Sequence, residues 1–293
     1  MGRKKRRSPD TGGLMSRSIR VGDIEIIPVT DGQAPPVEPS WPFPSVPVHA
    51  WDQHGYALDQ HGKHRSNFGA MVLRTPVETV LVDTGLGPHA PARYGTPPGE
   101  LPHSLKSAGV NPDEVSVVFL THLHYDHIGW AMSETGAGPF FKNARYVASK
   151  TDWSYWQTCD DPARAEHSAA FKARFEPLYD QGKVELVDGE EAISAGVRTL
   201  PTPGHTPGHM SLLLESSGER GIVTGDVFHS AAQFAEPEWS HRADVDPEKA
   251  RATRKLLLAR MAPGVVIASG HLVHGSNIGT VDLVQNRKFW RGF

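Results

Sequence analysis

The stretch Thr121-His122-Leu123-His124-Tyr125-Asp126-His127-Ile128-Gly129 follows directly on the apolar run Val115-Ser116-Val117-Val118-Phe119-Leu120. A short run rich in valine reads as a buried strand. The strand ends in a loop that packs three imidazoles and one carboxylate between His122 and His127. Imidazole and carboxylate together suit borderline divalent ions such as zinc. His122 and His124 are two residues apart, so in an extended segment they point the same way.

Four further pieces lie outward from this loop. Upstream is Leu81-Val82-Asp83-Thr84-Gly85. Downstream are Thr202-Pro203-Gly204-His205-Thr206-Pro207-Gly208-His209, then Gly225-Asp226 after Gly221-Ile222-Val223-Thr224, then Gly270-His271 after Val265-Val266-Ile267-Ala268-Ser269. Five pieces in this order form a specific pattern, where a lone His-x-His pair would not. The series resembles the metallo-β-lactamase superfamily, in its hydrolase branch with two metals, over about Ile19 to His271. The branch it looks closest to holds quorum-quenching lactonases and methyl-parathion-hydrolase-like enzymes.

The resemblance implies an α/β fold, the αββα sandwich of two mixed sheets with outer helices and a metal site at one edge. It implies that one ion takes His122, His124 and His205. The other takes Asp126, His127 and His271, and Asp226 bridges both. Asp126 and His127 face the second ion only if the chain turns after Tyr125. Gly204 and Gly208 let the backbone bend around His205. His209 and Asp83 are expected behind the ligands, holding the loops that carry them. Zinc is the default for two ions in this donor set, and manganese, iron or cobalt would also fit.

The implied reaction is hydrolysis by a hydroxide shared between two ions about 3.5–4 Å apart. Asp126 is expected to orient that nucleophile and move a proton. His229, three residues after Asp226, stands where quorum-quenching lactonases commonly carry a tyrosine, and is a second catalytic candidate. The segment from Gly225 to Phe234 looks closer to the methyl-parathion-hydrolase-like relatives. Opening of a lactone or cleavage of a carboxylic ester is the leading expectation, with an acyl-homoserine-lactone-type or aryl ester substrate. A phosphotriester is the alternative. An iron-dependent oxidoreductase and a thioesterase rank lower, because the extensions such enzymes carry are not found in this chain. Trp130, Trp41, Phe43, Trp51, Phe140 and His274 are candidate pocket residues for a small substrate with an apolar or aromatic part. His54, His61, His64, His89, His103 and His167 have no motif around them and read as surface or loop histidines.

Bulk properties agree with an enzyme of this kind. The 293 residues suffice for a large core, and 38% hydrophobic with 22% charged content fits a globular protein. No apolar stretch approaches the ~18 residues of a membrane helix, so no membrane partner is expected. Five of the 30 Lys and Arg residues lie in the run Arg3–Arg7, against 33 Asp and Glu in all. The remainder is therefore mildly acidic, which argues against a nucleic-acid surface. Cys159 is the single cysteine, compatible with a reducing cytoplasm. Residues 1–17 read as a disordered basic tail and 18–293 as one domain. Within it, 34–65 is too rich in proline for a helix or a central strand. That stretch is expected to serve as a lid over the site or as an arm on a second copy in a homodimer. A single helix is expected over Ala163–Tyr179, another over Pro247–Met261 with Leu256, Leu257, Leu258 and Met261 inward, and a last strand over 264–268.

Overall fold

The computed structural model describes residues 18–89 and 96–293. The tail 1–17 expected to be disordered lies outside the described residues. Seven strands form a first sheet, in spatial order β1 (Ile19–Val21), β2 (Ile24–Gln33), β3 (Asn67–Arg74), β4 (Thr79–Val82), β5 (Val115–Phe119), β6 (Arg145–Ser149) and β7 (Val184–Val187). The second sheet holds β8 (Ala192–Ser194), β9 (Val197–Pro201), β10 (Met210–Ser216), β11 (Glu219–Val223), β12 (Val266–Ala268), β13 (Ile278–Val284) and β14 (Arg287–Gly292), again neighbours in chain order. Both sheets are mixed: β4 to β7 run parallel, as do β11 and β12, and the other pairs are antiparallel. The expected αββα sandwich is the observed fold.

Side-chain alternation explains the layers. Val117 and Phe119 of β5 enter the core between the sheets, with Val80, Val82, Leu212, Leu214 and Val223. Val118 and Leu120 point the other way, into a core shared with the outer helices α1 (Leu101–Ser107), α2 (Lys150–Thr158), α3 (Ala165–Arg174) and α4 (Glu176–Asp180). The far face of the second sheet is covered by α5 (Pro247–Arg260), through Leu257, Leu258 and Met261. A strand buried on both faces must be apolar throughout, which is why the run before the histidine loop carries so little alternation.

Three expectations needed correction. The helix over Ala163–Tyr179 is two helices, α3 and α4, broken at Phe175. Pro177 cannot continue a helix from Arg174 because its ring would meet a carbonyl one turn back, but it fits the first turn of a new one. The chain does not end its sheet at 264–268: β13 and β14 follow as a hairpin. Its two turn residues, Gln285 and Asn286, take φ of 49° and 63°, the left-handed pair that matches strand twist. Leu256 is 71% exposed. The buried positions of α5 are instead Ala250, Arg254, Leu257 and Leu258, the i, i+4, i+7, i+8 stripe of one helix face. Asp246 caps this helix by accepting from the backbone N–H of Lys249.

Residues 34–65 form an irregular arm with 3-10 turns at Val48–Gln53 and Gly55–Ala57. Phe43, Val46 and Trp51 pack with Ala232 and Trp239 of the same chain. Among the described residues no helix is long and apolar enough to cross a membrane.

The helix face makes a sharp comparison. Leu257→Ala is expected to cost about 2–5 kcal/mol and Leu256→Ala less than about 0.5 kcal/mol. Urea denaturation of the two variants checks this, and equal losses would contradict the orientation of α5.

Candidate metal centre

Every motif of the sequence pattern leaves the same end of the sandwich. Asp83 follows β4, the run 121–127 follows β5, 202–209 follows β9, Asp226 follows β11 and His271 follows β12. Cross-links hold these loops in place. The Thr121 carbonyl accepts from Met210 N, and Gly270 O accepts from Gly69 N and Asn67 Nδ2. Asp152, fully buried on α2, accepts from Leu123 N at 2.9 Å and from Gly208 N at 3.0 Å, tying the 121–127 loop to the 202–209 loop. Gly225 has φ of 53°, and a Cβ there would lie 2.6 Å from the His209 ring, so glycine is required just before Asp226.

The structure brings all seven expected ligand residues together. His122 Nε2 lies 2.9 Å from His124 Nδ1, which lies 3.0 Å from His205 Nε2. Asp126 Oδ2 stands 3.9 Å from His127 Nε2 and 3.7 Å from His271 Nε2. Asp226 joins the two sets: its Oδ1 is 3.4 Å from His127 Nε2, and its Oδ2 is 3.1 Å from His205 Nε2 and 2.9 Å from His271 Nε2. His122, His124, His205 and Asp226 can hold one ion, and Asp126, His127 and His271 can hold a second.

The donor set fits divalent cations. His124 Nδ1 lies within 3.0 Å of both His122 Nε2 and His205 Nε2, and its single lone pair can accept from only one of them. Asp226 Oδ1 and His127 Nε2 are buried without a hydrogen bond. A cation among them resolves both conflicts. The outward nitrogens are mostly held: His122 Nδ1 by Thr121 Oγ1 at 3.1 Å, His205 Nδ1 by Asp244 Oδ1 at 3.0 Å, and His271 Nδ1 by Asn67 O at 2.8 Å. Asp83 Oδ2 lies 3.0 Å from His127 Nδ1, and the same carboxylate accepts from Thr121 N and Oγ1. Asp83 itself is held at φ of 63°, a strained position for a non-glycine residue. His209 spends both nitrogens on loop contacts, Nδ1 on Thr202 and Nε2 on the backbone N–H of Asp226.

Electrostatics follow from burial and from Asp226. Burial and neighbouring imidazoles hold His122 and His124 well below the usual histidine range. Burial also opposes charge on His127, His205 and His271, but the Asp226 carboxylate outweighs it: His205 is pushed up to about 9, and the other two are raised. At about 9, His205 carries a proton at neutral pH that a cation at its Nε2 must displace.

The other candidates lie further out. His229 Nε2 is 3.2 Å from Asp226 Oδ2, and its ring stacks between His241, 3.8 Å away, and His271, 5.0 Å away. Burial holds it down at about 4, hence neutral. Phe43 and Trp51 of the arm pack with Trp239, and Phe43 meets His241 edge-on. Trp41 is 47% exposed under the Arg242 guanidinium. Trp130 and Phe140 pack on each other, and the Trp130 indole donates to Asp31, within the helix-side core. His274 is half-buried.

Residues without a motif also reach the site. His64 is buried and contacts His229 O, and His167 packs against His124 and Tyr125. Asp244, His241, Asp152 and Arg254 enter through folding, and nothing in their sequence neighbourhoods marks them. His54 is buried against Glu236, away from the ligands.

A family model described as the metallo-beta-lactamase superfamily matches residues 70–271. An N-acyl homoserine lactonase of Bacillus sp is 28% identical over 179 residues, covering 56% of this chain and 64% of the relative, just under two thirds of its length. Among solved structures, the hydrolase AbOPH of the beta lactamase superfamily superposes with a TM-score of 0.82 at 27% identity, covering 94% of this chain and 96% of that one. AidC, a dizinc quorum-quenching lactonase in complex with a product, superposes with a TM-score of 0.79 over 94% of this chain and 97% of its own, and its 24% identity speaks for the fold alone.

Metal uptake at pH 7 is expected to release a proton, because His205, raised to about 9 by Asp226, must lose the one on Nε2. Apparent affinity should then rise with pH. Calorimetric titration of zinc in two buffers of different ionisation enthalpy measures the release, and a buffer-independent enthalpy would contradict it.

Proposed function

On the premise that the chain belongs to the metallo-β-lactamase superfamily, we propose that it is a binuclear metal-dependent hydrolase, with zinc as the default metal, that opens lactones or cleaves carboxylic esters. The observation that carries this reading is Asp226, buried between the two ligand sets, with Oδ1 3.4 Å from His127 Nε2 and Oδ2 3.1 Å from His205 Nε2 and 2.9 Å from His271 Nε2. Two ions held there would supply a water activated at neutral pH and a Lewis acid for the substrate oxygen.

This chain's residues do the remaining work. His122, His124 and His205 would hold one ion and Asp126, His127 and His271 the other, and the buried Asp226 carboxylate would offset the repulsion between them. Asp126 is the most open of the ligand carboxylates, its side chain 14% exposed against 2% for Asp226. It can therefore orient water at the mouth and pass a proton to the leaving alkoxide or phenoxide. Neutral His229 lies beside Asp226 at hydrogen-bond distance, with Nδ1 making no hydrogen bond among the described residues. It is placed to contact the reacting oxygen or to steady Asp226. His209 and Asp83 act through the loops, not on substrate.

Lactones with an apolar acyl part are the first substrate class. The Bacillus relative is an N-acyl homoserine lactonase. Phe43 of the arm reaches this side of the site through His64 and His241. Phosphotriester hydrolysis is the second reading. It is favoured by His229 at the position where lactonases commonly carry tyrosine.

Asp226→Ala is expected to abolish hydrolysis and to lower bound zinc to one ion or none, measured by activity and elemental analysis on the same sample. Full turnover in that variant would refute a bridging role. A kcat/KM ranking over lactones, aryl esters, thioesters and phosphotriesters tests the substrate class. Lactones or aryl esters should lead. A lead for phosphotriesters would install the second reading, and oxygen uptake with an iron-loaded protein would overturn hydrolysis itself.

A further inference from the structure

The turn His241–Asp244 stands behind the candidate centre. Asp244 Oδ1 lies 3.0 Å from His205 Nδ1, and its Oδ2 accepts from His241 N at 3.0 Å. Asp244 N in turn donates to His241 O, closing the turn. The carboxylate is buried, its side chain fully so, and Arg254 Nη2 lies 3.8 Å from Oδ2. Arg254 is itself wholly buried on α5. Its Nε donates to Val227 O, and its Nη1 donates to Pro237 O and Trp239 O, all at 2.8 Å. One guanidinium thus grips the residue after Asp226 and the segment that carries Asp244.

A carboxylate only accepts hydrogen bonds, so the proton of this contact sits on His205 Nδ1. An ion at Nε2 would displace the proton on that side, toward His124 and Asp226, while Nδ1 keeps its own toward Asp244. His127 has the equivalent arrangement at the other ligand set, with Asp83 against its Nδ1. His122 and His271 are backed by a hydroxyl and a carbonyl. Each of the two ligand sets therefore has one imidazole backed by a carboxylate. Asp83 belongs to a sequence motif, whereas Asp244 belongs to none.

We propose that Asp244, clamped by Arg254, is the positioning residue of the His122–His124–His205 metal position: it locks His205 in the tautomer that offers Nε2 to the ion and so sets the affinity of that position alone. The proposal rests on the two-metal reading. An imidazole oriented by a carboxylate is also a more basic ligand. In Asp244→Asn the amide can turn its NH2 toward Nδ1, which moves the proton to Nε2, the nitrogen the metal needs.

The test is zinc binding by competition with a chromophoric chelator, together with the visible spectrum of the cobalt-substituted protein and the Tm of the metal-free form. Asp244→Asn should weaken one equivalent of zinc by about 10- to 100-fold, leave the other near its wild-type affinity and alter the cobalt spectrum. Asp83→Asn should weaken the other equivalent instead, and Asp244→Glu should restore part of the loss. Wild-type affinities and spectrum in Asp244→Asn would overturn the proposal. So would equal weakening of both equivalents with a lowered metal-free Tm, since that marks a structural role. If the wild type takes up a single equivalent, the two-metal reading fails. Asp244 then stands or falls on whether Asp244→Asn weakens that equivalent.

Discussion

A buried carboxylate facing imidazoles on all sides is the constraint around which this molecule is arranged. Asp226 is 2% exposed and has His122, His127, His205, His229 and His271 within 3.7 Å. Such a cluster is costly to bury unless each donor and acceptor is aimed at a partner. The fold supplies that aim by bringing loops from β4, β5, β9, β11 and β12 to one end of two stacked sheets. Gly225 gives the chain the sharp turn that swings Asp226 inward, and His209 holds the Asp226 backbone N–H.

Around this centre, carboxylates play a second part. Asp83, Asp152 and Asp244 each reach across the sequence to hold a loop of the candidate centre by its backbone or its imidazole. They carry charge into the interior, where an unpaired carboxylate is destabilising, so each is surrounded by donors. Arg254 extends this support to the outer layer, because α5 cannot shift without moving both Val227 and the 237–244 segment.

The layers and ligands were largely legible in the chain. The β5 run is apolar because it is covered on both faces, and the His and Asp residues that follow it have spacings that an extended loop can use. The same reading failed where a pattern was ambiguous. Three consecutive leucines at 256–258 cannot all face inward on a helix, and only the packing of Arg254 and Met261 shows which one is left out. The final hairpin is not marked in the sequence, because its turn, Gln285–Asn286, lacks the glycine that usually signals such turns. Trp130, a pocket candidate by its place after the histidine loop, donates its indole N–H to Asp31 in the helix-side core.

The amino-acid sequence by itself determined the layered architecture, the family and the donor types, since these depend on local periodicity and on short spacings that survive in one dimension. Tertiary structure alone decided what stands behind the ligands. Asp244 is 39 residues from His205, and Arg254 is 27 from Val227. Contacts of that separation arise only when the sheets stack and α5 docks, because orientation in a buried site is set by whichever side chains the packed layers bring within hydrogen-bond reach.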